Sequence, residues 1–207
     1  MEALGAELIV HGRDFDEAVP HAVALAEARG YHRLPSFHAD LVNGVASYSL
    51  EFLRARPGLR RVYVPIGLGS GICGMICARN ALGMDTEIVG VVSEAADCYA
   101  RSLRAGHCVS TESARTLADG MAVRVPSEEA LELMRDKLAR IVRVSDQEVL
   151  AAMRHLFTDT HNIAEGAGAA ALAALLKEGA DPDDEVGLVL SGGNVDRALY
   201  SRVLNAD

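Results

Sequence analysis

A chain of 207 residues with 50% hydrophobic content and a mildly positive mean hydropathy can bury the core of one large domain, or of a domain plus a smaller piece, and is not a disordered chain. Its net charge of −9 is spread without a basic block or a basic aromatic stripe, which makes nucleic acid and anionic membrane surfaces poor partners. Met1 to Glu7 are too acidic for a signal peptide and no apolar run approaches a membrane span, so a cytoplasmic protein with reduced thiols is expected.

Glu7 to His11 reads as a strand, followed by a turn at Gly12. Asp14, with Glu17 three residues on, opens a helix that runs to Gly30, with Pro20 near its start. Tyr31 to Leu34 reads as a short second strand before Pro35. A strand, helix and strand cannot close a core alone, and Leu4-Gly5-Ala6 has the composition of a helix end. Residues 1–34 are therefore expected to be the remnant of a small domain, and residues 35–207 a large domain.

Within the large domain, Asp40 to Arg54 places apolar residues at helical spacing until Pro57-Gly58. Val62 to Ile66 then forms a β-prone run that ends in Gly67-Leu68-Gly69-Ser70-Gly71, and an apolar helix continues through Met75 to Leu82. A strand, glycine turn and helix aim backbone N–H groups and the positive helix end at one point, which suits an anionic ligand such as a phosphate. A second strand at Glu87 to Val92 completes a βαβ unit, so the expected class is α/β with a parallel sheet.

Ser93 to Leu117 has weak patterning, with a helix predicted near Ala96 to Leu103, before the polar turn Thr116-Leu117-Ala118-Asp119-Gly120. Ser127-Glu128-Glu129 opens a helix with a Leu131, Met134 and Leu138 stripe, and Arg140 to Val144 is the next strand. Ser145 and Glu148 form a capping box ahead of a helix through Phe157. Glu165-Gly166-Ala167-Gly168 precedes the small-residue helix Ala169 to Leu176, which ends at Lys177 and Gly179. Val186 to Leu190 is a final buried strand before a second glycine turn, Ser191-Gly192-Gly193-Asn194, and a last helix.

Cys73 and Cys77 lie four apart on the first of these helices, and Cys98 and Cys108 stand alone in sequence. This is not a zinc spacing, and small buried side chains are the expected role.

Gly69-Ser70-Gly71-Ile72-Cys73-Gly74 matches G-x-G-x-x-G after a strand, and Glu94 lies twenty residues beyond Gly74 at the end of the next strand. That pattern suits a dinucleotide, with the acid on a ribose, and makes an NAD(P)-dependent Rossmann dehydrogenase one reading. The extra Gly67 and the second turn at Ser191 favour a smaller phosphorylated cofactor gripped between two glycine turns.

The four motifs, Val64 to Gly71, Thr116 to Gly120, Glu165 to Gly168 and Ser191 to Asn194, occur in the order and spacing of threonine/serine dehydratases. The chain thus resembles the pyridoxal-phosphate (PLP) enzymes of the tryptophan-synthase-β fold, fold type II, over essentially its whole length. The resemblance implies a PLP-dependent ammonia-lyase acting on a β-hydroxy amino acid such as threonine, serine or 3-hydroxyaspartate. It makes Gly67, Leu68, Gly69, Ser70 and Gly71 the phosphate loop and Ser191 the partner of the pyridine nitrogen. A neutral hydroxyl there leaves that nitrogen largely unprotonated, which suits loss of a β-hydroxyl better than reactions needing a long-lived carbanion. It also places Glu165 and Asp119 near the cofactor. On the residues alone, Ser191 could instead cap the last helix, and Glu165 could be a first-turn acid.

Three departures accompany the resemblance. The phosphate loop is usually an unbroken glycine run, and here it carries Leu68 and Ser70. The cation-binding Glu of some relatives falls on Val91 or Val92, with Asp97 and Glu94 nearby, and no metal is expected. The family's Schiff-base lysine and carboxylate-binding loop lie upstream of the matching segment, while Lys137 and Lys177, the two lysines present, read as solvated structural residues. The chain is accordingly expected to be the carboxyl-terminal part of such an enzyme, incomplete in its large domain. The alternative is a catalytically inactive paralogue or partner subunit. Open sheet edges and uncovered apolar faces predict association, as a homo-oligomer or with an amino-terminal half.

Overall fold

The structure is a computed structural model that describes residues 2–179 and 181–205. It divides into two units, Met1–Ser36 and Phe37–Asp207.

In the first unit, helix α1 (Phe15–Arg29) begins where Asp14 accepts a hydrogen bond from the Glu17 N–H at 3.0 Å. The Glu17 carboxylate in turn accepts from the Arg13 N–H at 2.8 Å, and the helix stops at Gly30 in the left-handed region. Pro20 lies inside the helix rather than in its first turn. The strands predicted at Glu7–His11 and Tyr31–Leu34 do not form: among the described residues neither stretch joins a ladder. A strand needs a neighbour for its backbone groups. Segment 6–11 has side-chain ties to α1 in its place, through the Arg29–Glu7 ion pair at 3.3 Å and the stacked rings of His11 and His21. No residue of α1 is buried, and Val10 and Leu34 are almost fully exposed.

The second unit holds one parallel sheet, β1 (Arg61–Pro65), β2 (Glu87–Ser93), β3 (Arg140–Val144) and β4 (Val186–Leu188), in the order β3-β2-β1-β4. Its helices are α2 (Ala39–Ala55), α3 (Ser70–Ala81), α4 (Cys98–Ala105), α5 (Glu128–Met134), α6 (Asp146–Thr160), α7 (Gly166–Glu178) and α8 (Arg197–Asn205). Side chains alternate along each strand, so the sheet supplies two cores. Val62, Val64, Ile88 and Val92 pack with Leu53, Ile72, Ile76 and Leu131 of α2, α3 and α5. On the other face Tyr63, Val89, Val91, Val142 and Val144 pack with Met153, Ala170, Ala174 and Val203 of α6, α7 and α8. Burial on both faces explains why β2 reads as an unbroken apolar run.

Several predicted boundaries move: α3 already starts at Ser70, and α7 starts at Gly166 rather than Ala169. Helix α4 starts at Cys98 rather than Ala96, and α5 ends at Met134, leaving Leu138 beyond it, because Asp136 takes a positive φ of 56° that breaks the helix. Strand β4 stops at Leu188, although Val189 still donates to the Tyr63 carbonyl at 3.1 Å. The capping box at Ser145 and Glu148 forms as the sequence implies.

Strand order matters most for function. From β1 the chain passes through α3 to β2 on one side, while β4 arrives last on the other side. The loops leaving β1 and β4 therefore diverge at their carboxyl ends, the place where a parallel α/β sheet opens a crevice.

Candidate functional site

The loop after β1 is held at several points. The Ile66 N–H donates to the Val91 carbonyl at 2.8 Å, and the Tyr99 hydroxyl donates to the Leu68 carbonyl at 2.7 Å while accepting from the Ser127 N–H at 2.9 Å. Tyr99 is almost wholly buried, and burial pushes its phenol pKa up. Two glycines are obligatory here. A Cβ on Gly67 would fall on the Gly120 carbonyl oxygen, far inside the 3.0 Å that real Cβ atoms keep. Gly69, the N-cap of α3, has φ 100°, and a Cβ there would lie 2.7 Å from the Met134 methyl. The first-turn N–H groups of α3, which helix geometry leaves without intrahelical acceptors, stand behind this loop.

The loop forms one wall of a cavity of about 620 Å³, a size suited to a small-molecule ligand. Gly67, Leu68, Gly69, Ser70 and Gly71 all line it, together with Glu165 and Ser191. Residues far apart in sequence thus meet at the ends of β1 and β4. Val45 and Tyr48 of α2, Gly120, Met121 and Ala167 complete much of the wall.

Glu165 is the N-cap of α7, yet its side chain makes no capping hydrogen bond. Its N–H donates to the Gly192 carbonyl at 3.1 Å, and its Oε1 lies 2.6 Å from where a Gly192 Cβ would sit. The carboxylate therefore occupies space that only a glycine at 192 leaves free. Ser191 is exposed, and α8 begins six residues later at Arg197, so Ser191 does not cap the last helix. Asp119 is exposed and does not line the cavity, although its neighbours Gly120 and Met121 do. The turn around it is tied to α6: Asp146 accepts from the Thr116 hydroxyl and from the Leu117 N–H at 3.2 Å. This tie sets the Gly120 carbonyl against Gly67.

Neither lysine lines the cavity. Lys177 bridges Glu94 and Glu148 at 3.1 Å each and donates to the Arg143 carbonyl at 2.8 Å. Burial pulls its pKa down, but the two carboxylates outweigh that and leave it raised, so it is a locked cation rather than a nucleophilic amine. Glu94 is committed to this pair and is no free ribose acceptor. Asp97, nearly buried, pairs with Arg101 at 2.6 Å and Arg143 at 3.1 Å. Among the described residues no cluster of three or more His, Cys, Asp or Glu side chains could hold a metal ion. None of the four cysteines is in a disulfide, and burial pushes the Cys73 thiol up to about 12.

Sequence reasoning missed Val45 and Tyr48, which it counted in the apolar stripe of α2, and Tyr99, which braces the loop. A phenol in such a stripe, with a polar tip that needs a partner or an opening, was the available signal for Tyr48.

The fold and cavity define a class: a doubly wound α/β protein whose glycine-rich loop after β1 lines a cavity at the switch point of its parallel sheet. The chain belongs to the pyridoxal-phosphate dependent enzymes, whose family model matches residues 1–192, and pyridoxal phosphate is its cofactor. It is 38% identical over 202 residues to an L-threonine ammonia-lyase of Geobacter sulfurreducens, covering 97% of this chain and 50% of that protein. It is 32% identical over 203 residues to an L-threonine ammonia-lyase of Thermotoga maritima, covering 98% and 51%. Among solved structures it resembles the T.th. threonine deaminase, with TM-score 0.86 and 36% identity over 94% of this chain and 65% of that one. Threonine deaminase isoform 2 of Solanum lycopersicum gives TM-score 0.88 at 27% identity, over 98% and 60%. The chain spans about half the length of the two ammonia-lyases. Membership of this family overturns the nicotinamide reading of the glycine motif. No described helix is long and apolar enough to cross a membrane.

Proposed function

We propose that this chain supplies the cofactor site of an ammonia-lyase acting on a β-hydroxy amino acid such as threonine, serine or 3-hydroxyaspartate. The observation that carries this is the meeting of the Gly67–Gly71 loop, Glu165 and Ser191 in one cavity. The relatives named above support the reaction class.

Pyridoxal phosphate, when bound, supplies the electron sink for breaking bonds at the α-carbon of an amino acid. The backbone N–H groups at the start of α3 and the Ser70 hydroxyl bind its phosphate. Ser191 offers a hydroxyl to the ring nitrogen without a negative charge to hold a proton there. Glu165, whose carboxylate stands beside Gly120 and Gly192, would border the cofactor on that side of the cavity. The residues of the cavity hold and orient, and none is an amine that could take the α-proton. Lys137 and Lys177 both lie off the cavity, so neither would take that proton.

The test has two parts. Titrating the chain with pyridoxal phosphate, followed by borohydride reduction and mass analysis, is expected to show binding without a covalent adduct on Lys137 or Lys177. Adding the lysine-bearing segment of a relative is expected to restore 2-oxo acid formation from one of the three substrates. Binding without any restored activity would favour an inactive partner subunit, a reading that the position of the two lysines supports. An adduct on either lysine would refute the assignment of both as structural.

A further inference from the structure

No arginine or lysine among the described residues lines the cavity, so a phosphate there is held by neutral donors alone. Each such donor then counts, and the loop itself departs from an all-glycine run at Leu68 and Ser70. Tyr48 stands on the facing wall. Helix α2 comes close to α3 because Gly74 has no side chain: a Cβ there would lie 3.1 Å from the Ala46 nitrogen. That approach carries the Tyr48 hydroxyl to 3.7 Å from the point a Gly71 Cβ would occupy, beside the first turn of α3.

Burial pushes the Tyr48 pKa up, which keeps the group a protonated donor at neutral pH. The phenol lies beside the buried Ser49 hydroxyl, a near contact that pulls the phenol's pKa down slightly without reaching full hydrogen-bond geometry, since the Ser49 Oγ has no partner at hydrogen-bond distance and angle. Tyr48 is nonetheless 36% exposed, on the cavity side, which leaves its tip accessible to a ligand.

We infer that Tyr48 is a phosphate ligand, donating its hydroxyl hydrogen from α2 to the anionic group cradled by Gly67–Gly71. The inference rests on the reading of that loop as the cofactor cradle. It adds a side-chain donor, from a helix outside the glycine motif, to a site otherwise built from backbone N–H groups and Ser70.

Equilibrium titration of the chain and of Tyr48→Phe with pyridoxal phosphate and with pyridoxal, which lacks the phosphate, tests it. The wild-type chain is expected to prefer the phosphorylated form. In Tyr48→Phe that affinity falls about tenfold, the loss of one hydrogen bond to a charged group, while pyridoxal binds as before and the melting temperature is unchanged. Protection against thermal unfolding by inorganic phosphate falls in parallel. A wild-type preference that survives intact in Tyr48→Phe would overturn the inference and leave the cradle standing. Equal weakening of both ligands would also overturn it, by placing Tyr48 against the ring. No preference in the wild-type chain would overturn the cradle reading and the inference together.

Discussion

The clearest test of the cradle is a pair of glycine-to-alanine changes at Gly67 and Gly71. At Gly67 the new Cβ would meet the Gly120 carbonyl oxygen, which is backbone and cannot rotate away. Both sides of that contact are pinned: the Ile66 N–H and Leu68 carbonyl are bonded at 2.8 and 2.7 Å, and the Met121 N–H donates to the Ala118 carbonyl at 2.8 Å. Relief requires moving one whole segment, which costs about 1–3 kcal/mol by analogy with overpacked cores. At Gly71, inside α3, the nearest atom to a new Cβ is the Tyr48 hydroxyl at 3.7 Å, an ordinary contact. Alanine there, in the first turn of α3, is expected to leave stability unchanged or raise it by less than about 0.5 kcal/mol. Its methyl would nevertheless stand where a phosphate approaches the backbone. Urea unfolding followed by circular dichroism should place Gly67→Ala about 1 M below wild type, for a slope of about 2 kcal/mol/M, and Gly71→Ala at or above it. Titration with pyridoxal phosphate should show both variants weakened. A Gly71→Ala chain that binds as tightly as wild type would refute close approach of the ligand to the loop, and a Gly67→Ala chain with wild-type stability would refute the packing argument.

Two further outcomes follow from groups away from the cavity. Glu178 accepts from both Arg140 and the buried Tyr63 hydroxyl, and the Arg140 guanidinium holds its carboxyl below the ordinary value of 4.5. A lowered folded pKa means stabilisation that is complete above 4.5 and is lost as pH falls through the folded value. Glu178→Gln is therefore expected to cost about 1–2 kcal/mol at pH 7, with the difference from wild type shrinking in urea melts at acidic pH below 4.5. A constant difference down to acid unfolding would sink this account. Among the thiols, Cys108 is exposed, whereas Cys73 and Cys98 are buried. A thiol-exchange reagent should modify Cys108 first and reach Cys73 and Cys98 only on unfolding, as read by peptide mass; early modification of Cys73 would contradict its burial.

Much of the second unit was legible because its signals are local. The apolar runs of β1 and β2, the capping box of Ser145 and Glu148, and the glycine turn before α3 each declare themselves within a few residues. The first unit was misread for the complementary reason. Glu7–His11 and Tyr31–Leu34 have strand composition, but a ladder needs a second strand, and none of the described residues provides one. The boundaries of α5 and β4 moved because a left-handed Asp136 and the end of the ladder beside β1 are set by packing rather than by periodicity.

The sequence by itself determined the α/β class, the phosphate-suited loop at Gly67–Gly71 and the absence of any lysine except Lys137 and Lys177 from these 207 residues. Those features depend on composition and on neighbouring residues alone. Only the tertiary structure decided that Glu165, Ser191 and that loop share one cavity, that Tyr48 faces it from α2, and that Lys177 and Glu94 neutralise each other away from it. These are consequences of strand order and helix packing: β4 lies beside β1 although about 120 residues separate Pro65 from Val186, and no local pattern encodes that adjacency.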